Sequence, residues 1–491
     1  MATSTGTAPV GPFRACALLS ILATSLVVLS SFEGLDAGRW NGGIGVSLAA
    51  IALGALTLIA WRAVRIGPDG IVPTLASIAI TFMVGAFALP GLIVYVTGAP
   101  PRAQRLREIF ERPAAGLWMM VLFWAIVLAV ASCFSPRRRG TLGLSSSTVA
   151  PPRLMVAYGI GFVMSLFNVL QRGRSIDGRS PLPPLLQPFE QVFSYGAVLA
   201  YLAVAGFASR RDRSHQRTAA VMALGIGAIG MADGFFKPML WAAVVYAIAR
   251  MGSPHRSGRQ VPVRLIGAAL VIVGVALVFV VPVVQADRAT SASEEGIAAD
   301  LAQGYRDSWG SGLGTGWDLF VDKSLNRQAG VFAGLGLVVD RVPSRIEHRG
   351  VDDLVSVPTA LVPRALWPSK PVLSSGAEIS TLFYDLPSET RSSSSLLVIG
   401  DGYWYAGLIG VVAVAGAVGL VYGFVDTRFR SGAGLVVRIA LIPYLVDMED
   451  GVAQWLNGAV QSTVIVAVFA FLSSRRDRPL AQEAPSAELV A

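Results

Sequence analysis

The chain has 491 residues, of which 53% are hydrophobic and 14% charged, and its mean hydropathy is +0.59. Too little polar surface is available to cover a water-soluble protein of this length, so composition excludes a string of soluble domains and points to a chain embedded in a bilayer. The net charge is +9, but among 40 basic residues only Lys237, Lys323 and Lys370 are lysines. That arginine preference reads as a genomic bias and lends no support to nucleic-acid binding.

Arg14 and the apolar run after it resemble a signal peptide, but no small-residue cleavage site follows, and the run reads as a first membrane helix. A crossing needs about 20 apolar residues. Further segments of this kind lie at about 44–61, 71–97, 115–134, 154–170, 189–209, 218–232, 236–250, 263–284, 402–424, 432–447 and 456–473. The expectation is an all-α polytopic membrane protein of about twelve spans with both termini cytoplasmic. Its parts are spans one to nine in 1–284, a large extracytoplasmic loop with amphipathic helices in 285–400, the last three spans in 401–473, and a disordered tail in 474–491. The orientation follows from basic clusters such as Arg137–Arg139, Arg210–Arg217 and Arg250–Arg264, which the positive-inside rule places in the cytoplasm. Cys16 and Cys133 then fall near cytoplasmic helix ends, a reducing setting, and no Cys/His cluster has zinc spacing. No internal repeat is visible.

Arginines on the expected outer face run against that bias. Arg102, Arg105, Arg107 and Arg112 in "PRAQRLREIFERP" read as an interfacial amphipathic helix. Arg172, Arg174 and Arg179 lie in "QRGRSIDGRSPLPP". The long loop is too extended for an idle connector. Within it, Val321, Leu325, Phe332, Leu335 and Val339 form one helical stripe, which predicts an ordered helix lying on the membrane domain.

Three places concentrate reactive groups. In "GMADGFFKPML" Asp233 and Lys237 sit at the turn of a hairpin too short to reach the outer surface, so the pair is sunken. Lys237 either forms an ion pair with Asp233 at helical spacing or faces an anionic lipid head group. In "DMED" the carboxylates Asp447, Glu449 and Asp450 would bind a divalent cation, supply a general base, or simply form a solvated helix end. Arg438, inside the preceding span, requires an acid or a phosphate nearby. In "VPRALWPSKP", residues 362–371, Pro363, Pro368 and Pro371 hold the backbone extended while Arg364, Trp367 and Lys370 project from it. The bland reading is a lipid-anchored loop; the alternative is a phosphate cradle, with the planar arginine fork and the lysine point charge on anionic oxygens.

That decapeptide, followed about 30 residues later by "GDGYWYAGLIG", resembles the Pro-Arg-x-x-Trp-Pro-x-Lys-Pro and Gly-Glu-x-Tyr-x-x-x-Gly-x-x-Gly pattern of Wzy-like polymerases of oligosaccharide repeat units. The resemblance covers about 326–410. It implies a GT-C-like fold and transfer of a glycan from a polyprenyl diphosphate to another lipid-linked unit at the outer face of the cytoplasmic (inner) membrane, without cofactor. The implied partners are the lipid-linked oligosaccharide and the bilayer, with a chain-length regulator and a flippase as accessory proteins. Arg364, Lys370 and Trp367 match the first motif, and Tyr403, Gly407 and Gly410 the second. Asp401 stands where the family usually has Glu, and Lys237 lies roughly where relatives place an arginine. Displacement of a diphosphate needs cations at the leaving group and a base for the attacking hydroxyl. Arg364 and Lys370, with Arg327 and Arg172 or Arg174, are the expected cradle; Asp401 and then His348 are the expected bases. A ligase for the same donor, a lipid-linked glycan transporter and a membrane scaffold are the competing readings.

Overall fold

The computed structural model describes residues 43–62, 65–67, 70–97, 113–134, 149–172, 190–210, 212–232, 237–251, 326–350, 357–362, 376–385, 395–430 and 432–474, with isolated positions at 18–28, 306, 352 and 367. These residues are helical apart from a small antiparallel ribbon, β1 (Arg65–Gly67) and β2 (Gly70–Val72). The helices are α1 (Gly43–Arg62), α2 (Leu75–Met83), α3 (Leu89–Thr97), α4 (Pro113–Cys133), α5 (Pro151–Arg172), α6 (Glu190–Tyr195), α7 (Ala197–Ala208), α8 (Arg213–Ala232) and α9 (Lys237–Met251). They continue as α10 (Asn326–Arg341), α11 (Gly376–Tyr384), α12 (Leu397–Arg428), α13 (Gly432–Val446) and α14 (Val452–Ser474). A π-helical turn, Val84–Ala88, joins α2 to α3.

The apolar segments predicted from 44–61 through 236–250, and the last three, each coincide with a described helix. Segment 263–284, the arginine-rich 102–112 stretch and the tail lie outside the described residues. Among the described residues five helical stretches are long and apolar enough to cross a membrane: Ile44–Trp61, Leu75–Val96, Ala114–Cys133, Leu397–Arg428 and Val452–Leu472. Their exposed leucines, isoleucines and valines, among them Ile51, Leu58, Ile409 and Val468, form the greasy outside of the bundle.

α12 corrects the span expected at 402–424. At 32 residues it would be about 48 Å long if straight, well beyond about 30 Å of hydrocarbon. It breaks at Ala406 (φ −155°, ψ 35°) and Gly407 (φ 59°, ψ −144°). A side chain added at Gly402 would meet the Gly410 carbonyl oxygen at 3.4 Å and Val414 at 3.3 Å. Residues eight and twelve apart in a straight helix are separated by about 12 and 18 Å, so 397–405 folds back against the start of 408–428. Only the second limb, about 31 Å long, has the direction and length of a crossing. Gly410 fits because its missing side chain lets the Gly402 backbone touch it.

Every residue from Leu397 to Tyr405 is buried. The folded-back limb packs on α10, where Gly400 meets Leu335. α10 itself is wedged between α3, α4 and α12 with Phe332 and Leu335 fully enclosed, so it is part of the bundle interior and does not lie on its surface as the stripe predicted. Of that stripe, Val321 and Leu325 lie outside the described residues. The outgoing limb of α12 presses on α4 through Gly419 and Gly423, a small-xxx-small spacing that lets helices approach closely in lipid.

Arg438 finds an acid. Its Nε lies 3.1 Å from Asp426 Oδ1, and Asp426 Oδ2 also accepts the Leu75 N–H at 3.0 Å, satisfying an orphan donor at the start of α2. The Pro73 carbonyl accepts from Arg438 as well. This staple ties α2, α12 and α13 together at one end of the bundle. The reactive groups lie at the other.

Candidate functional site

The loop between α13 and α14 is Asp447-Met448-Glu449-Asp450-Gly451. Tyr422 and Trp455 both donate to the Leu445 carbonyl, at 2.7 and 2.9 Å, which closes the end of α13 and fixes where the loop begins. Asp447 then accepts the Glu449 N–H in an Asx turn. Val398 of the folded-back limb donates to the Met448 carbonyl at 3.0 Å, and Ser395 donates to the Glu449 carbonyl. Thus the α12 limb holds one side of the acidic loop.

Lys237, the first residue of α9, holds the other. Its Nζ is 3.0 Å from Asp447 Oδ2 and 2.5 Å from Glu449 Oε2. The sequence set these groups apart as two candidate sites; the fold makes them one. Asp233, one of the two partners considered for Lys237, lies outside the described residues. Among the described residues no group of three His, Cys, Asp or Glu is arranged to hold a metal ion, and two of the three carboxylates proposed for one are turned to Lys237.

Asp450, together with Lys237 and Asp447, lines a cavity of about 410 Å³. The surrounding protein withdraws bulk water from its carboxyl even though its surface is exposed, and this raises its pKa above the ordinary 3.8. Lys237 opposes the shift, while the Asp447 and Glu449 carboxylates add to it. The cavity walls come from α5 (Ser165, Asn168), α6 and α7 (Tyr195, Tyr201), α9 (Trp241), α13 (Tyr444) and α14 (Gln454, Trp455). Tyr444 is the hub of the aromatic wall, with ring centroids 5.9 Å from Tyr195 and 6.4 Å from Tyr201. Sequence reading missed these tyrosines, since they lie on three separate helices and only their convergence marks them.

Asp401 lies in the folded-back limb, 3% exposed. Its Oδ2 accepts the Val452 N–H at 2.8 Å, so it caps the first turn of α14 from another helix. Oδ1 is buried with no hydrogen-bond partner among the described residues. Asp401 does not line the cavity. Its place is behind the acidic loop, which it anchors at Val452.

His348 lies at the tip of the fold-back. Next to it, Arg349 N donates to the Trp404 carbonyl and Gly350 N to the Tyr405 carbonyl, each at 3.0 Å. In a continuous helix these carbonyls would face the N–H groups of Leu408 and Ile409; the break at Gly407 turns them to 349–350 instead. Arg349 stacks over Trp404 at 4.0 Å and pairs with Glu378. The exposed His348 ring has Nδ1 3.4 Å from the Trp404 carbonyl oxygen and lies against Gly407, where an added side chain would touch it at 3.4 Å. Tyr403 is buried below, its ring centroid 6.2 Å from that of His348.

The remaining predicted site residues are less fully placed. Trp367 is exposed. Arg172 ends α5 and Arg327 is the second residue of α10, with their side chains outside the described residues, as are Arg174, Pro363, Arg364, Pro368, Lys370 and Pro371. Comparison with protein-family models, with curated proteins and with solved structures finds no match to this chain.

Proposed function

We propose that this membrane protein is a glycosyltransferase that joins polyprenyl-diphosphate-linked oligosaccharide units into a polymer at the outer face of the cytoplasmic membrane. The supporting observation is the fold-back of α12. It gathers the glycines and carboxylate of "GDGYWYAGLIG", His348 and the acidic loop at the cavity end of the bundle. In this reading the about twelve-span, GT-C-like layout surrounds that site, with Arg364 and Lys370 at the diphosphate.

The reaction makes one bond and breaks one. An acceptor hydroxyl oxygen attacks the anomeric carbon of the donor, the anomeric carbon–oxygen bond to the diphosphate breaks, and the polyprenyl diphosphate leaves with both electrons. The hydroxyl proton passes to a base. His348 fits that role better than Asp401: with Nδ1–H directed at the Trp404 carbonyl, Nε2 carries the lone pair. Asp401 is then a positioning residue that holds the acidic loop through Val452.

The test is complementation of a deletion strain. Wild-type protein restores long polymer, whereas His348→Ala, at equal abundance, leaves single lipid-linked units exposed on the outer leaflet. Normal polymer in both His348→Ala and Arg364→Ala would overturn the proposal. The Lys237–Asp447–Glu449 network, sunken between helices, favours a second reading as a lipid-linked glycan transporter; that reading predicts accumulation on the inner leaflet instead.

A further inference from the structure

The cavity beside Asp450 has a charge balance opposite to that of a diphosphate site. Among the described lining residues Lys237 is the one cation, and Asp447 and Glu449 already engage it. Among the described lining residues two carboxylates, Asp447 and Asp450, stand against one ammonium, an excess of one negative charge when all are ionised. A phosphate entering here would meet repulsion from these carboxylates. A cation would meet the Asp450 carboxylate and a wall containing the Tyr195, Tyr201 and Tyr444 rings, groups whose aromatic quadrupoles and negative charge both favour it. Asn168, Ser165 and Gln454 supply neutral hydrogen-bonding groups around it. Trp241, also in the wall, has an indole N–H without an acceptor among the described residues. The volume of about 410 Å³ is that of a small-molecule pocket.

We infer that this cavity binds a primary ammonium group carried by a polar ligand, held between Asp450 and the three tyrosine rings. Two sources have that chemistry: an amino sugar with a free amine and the ethanolamine head group of a phospholipid. If the chain is the polymerase proposed above, an amino sugar here is a unit of its glycan and the cavity sets its specificity. The binding preference itself does not rest on that reading.

The experiment uses the full chain in phosphatidylcholine nanodiscs, with ligand-observed NMR titrations of glucosamine, N-acetylglucosamine and glucose. Glucosamine is expected to bind about tenfold more tightly than the other two, from a screened ion pair plus cation–π attraction. Asp450→Asn should abolish the preference, and Tyr444→Leu should reduce it while Tyr444→Phe keeps it. Repeating the titration in nanodiscs containing phosphatidylethanolamine separates the sources: weakened glucosamine binding identifies the head group as a competing occupant, and unchanged binding identifies the amino sugar. Equal binding of the three sugars, or a preference that survives Asp450→Asn, overturns the inference. Loss of polymer in cells with this preference intact, or the reverse, tells failure of one proposal from failure of the other.

Discussion

Asp401 Oδ2 accepts the backbone N–H of Val452 at 2.8 Å, across 51 residues of sequence. The bond joins a folded-back limb to the first turn of another helix and so fixes the last residue of the acidic loop. A carboxylate at a helix N-terminus satisfies an orphan donor and meets the positive end of the helix dipole. Asp401→Asn keeps an acceptor of the same shape and should leave thermal stability close to wild type; Asp401→Ala should cost about 1–2 kcal/mol, the ordinary loss for a removed cap. Thermal unfolding in detergent measures both. If Asp401 were the base, Asn would abolish polymer formation; as a positioning residue, it should retain much of it.

Gly407 carries the turn on which the site depends. Its φ of 59° with ψ of −144° lies where an L side chain is strained, and an added side chain would also touch the His348 ring. Gly407→Ala should therefore destabilise by about 1–3 kcal/mol and displace His348. Gly416→Ala, in the same helix with open space around it, is the matched control and should be neutral or slightly stabilising. Thermal midpoints for the two variants, read beside polymer length in cells, check this. Equal effects would show that the fold-back does not depend on Gly407.

Helix positions were legible because hydropathy reports which residues avoid water. It does not report chain direction, so "LVIGDGYWYAGLIGVVAVAGAVGL" read as the start of a span when its first limb runs backwards. The available signals were excess length and the closeness of Gly402, Gly407 and Gly410. Arg438 had a legible need for an acid, and Asp426 meets it just across the short α12–α13 turn. Lys237 was different. A local partner at Asp233 was in view, whereas Asp447 is 210 residues away and only tertiary packing pairs them. The tyrosine wall was invisible for the same reason: α6, α7 and α13 each contribute one residue, and only packing brings them together.

The Asp450 carboxyl has a definite pH signature. Its folded-state pKa lies above the ordinary 3.8, chiefly because the protein withdraws water from it. A carboxyl raised in this way favours the folded state when protonated; its stabilising contribution is fully present below the unfolded value and is lost as pH rises through the folded one. Asp450→Asn removes the charge at every pH. The variant should match wild type below about pH 4 and exceed it in thermal midpoint at neutral pH. A variant less stable than wild type at pH 7 would show that the ionised carboxylate is a net favourable partner of Lys237.

Lys237 presents the converse case, a cation whose removal strands its partners. In Lys237→Ala, Asp447 and Glu449 would both lose the ammonium they engage, and Glu449 is only 7% exposed in its side chain. Removing one member of a fully buried pair costs about 3–5 kcal/mol. Lys237 is 34% exposed, so solvent screening lowers the expectation to about 2 kcal/mol. Lys237→Met combined with Asp447→Asn and Glu449→Gln removes the charges together and should recover most of that loss, because no ion remains unpaired. Recovery of stability without recovery of polymer would assign the network a role in the reaction. Recovery of both would make it a structural fastener, and failure to recover stability would show that α9 is held by something other than this ion pair.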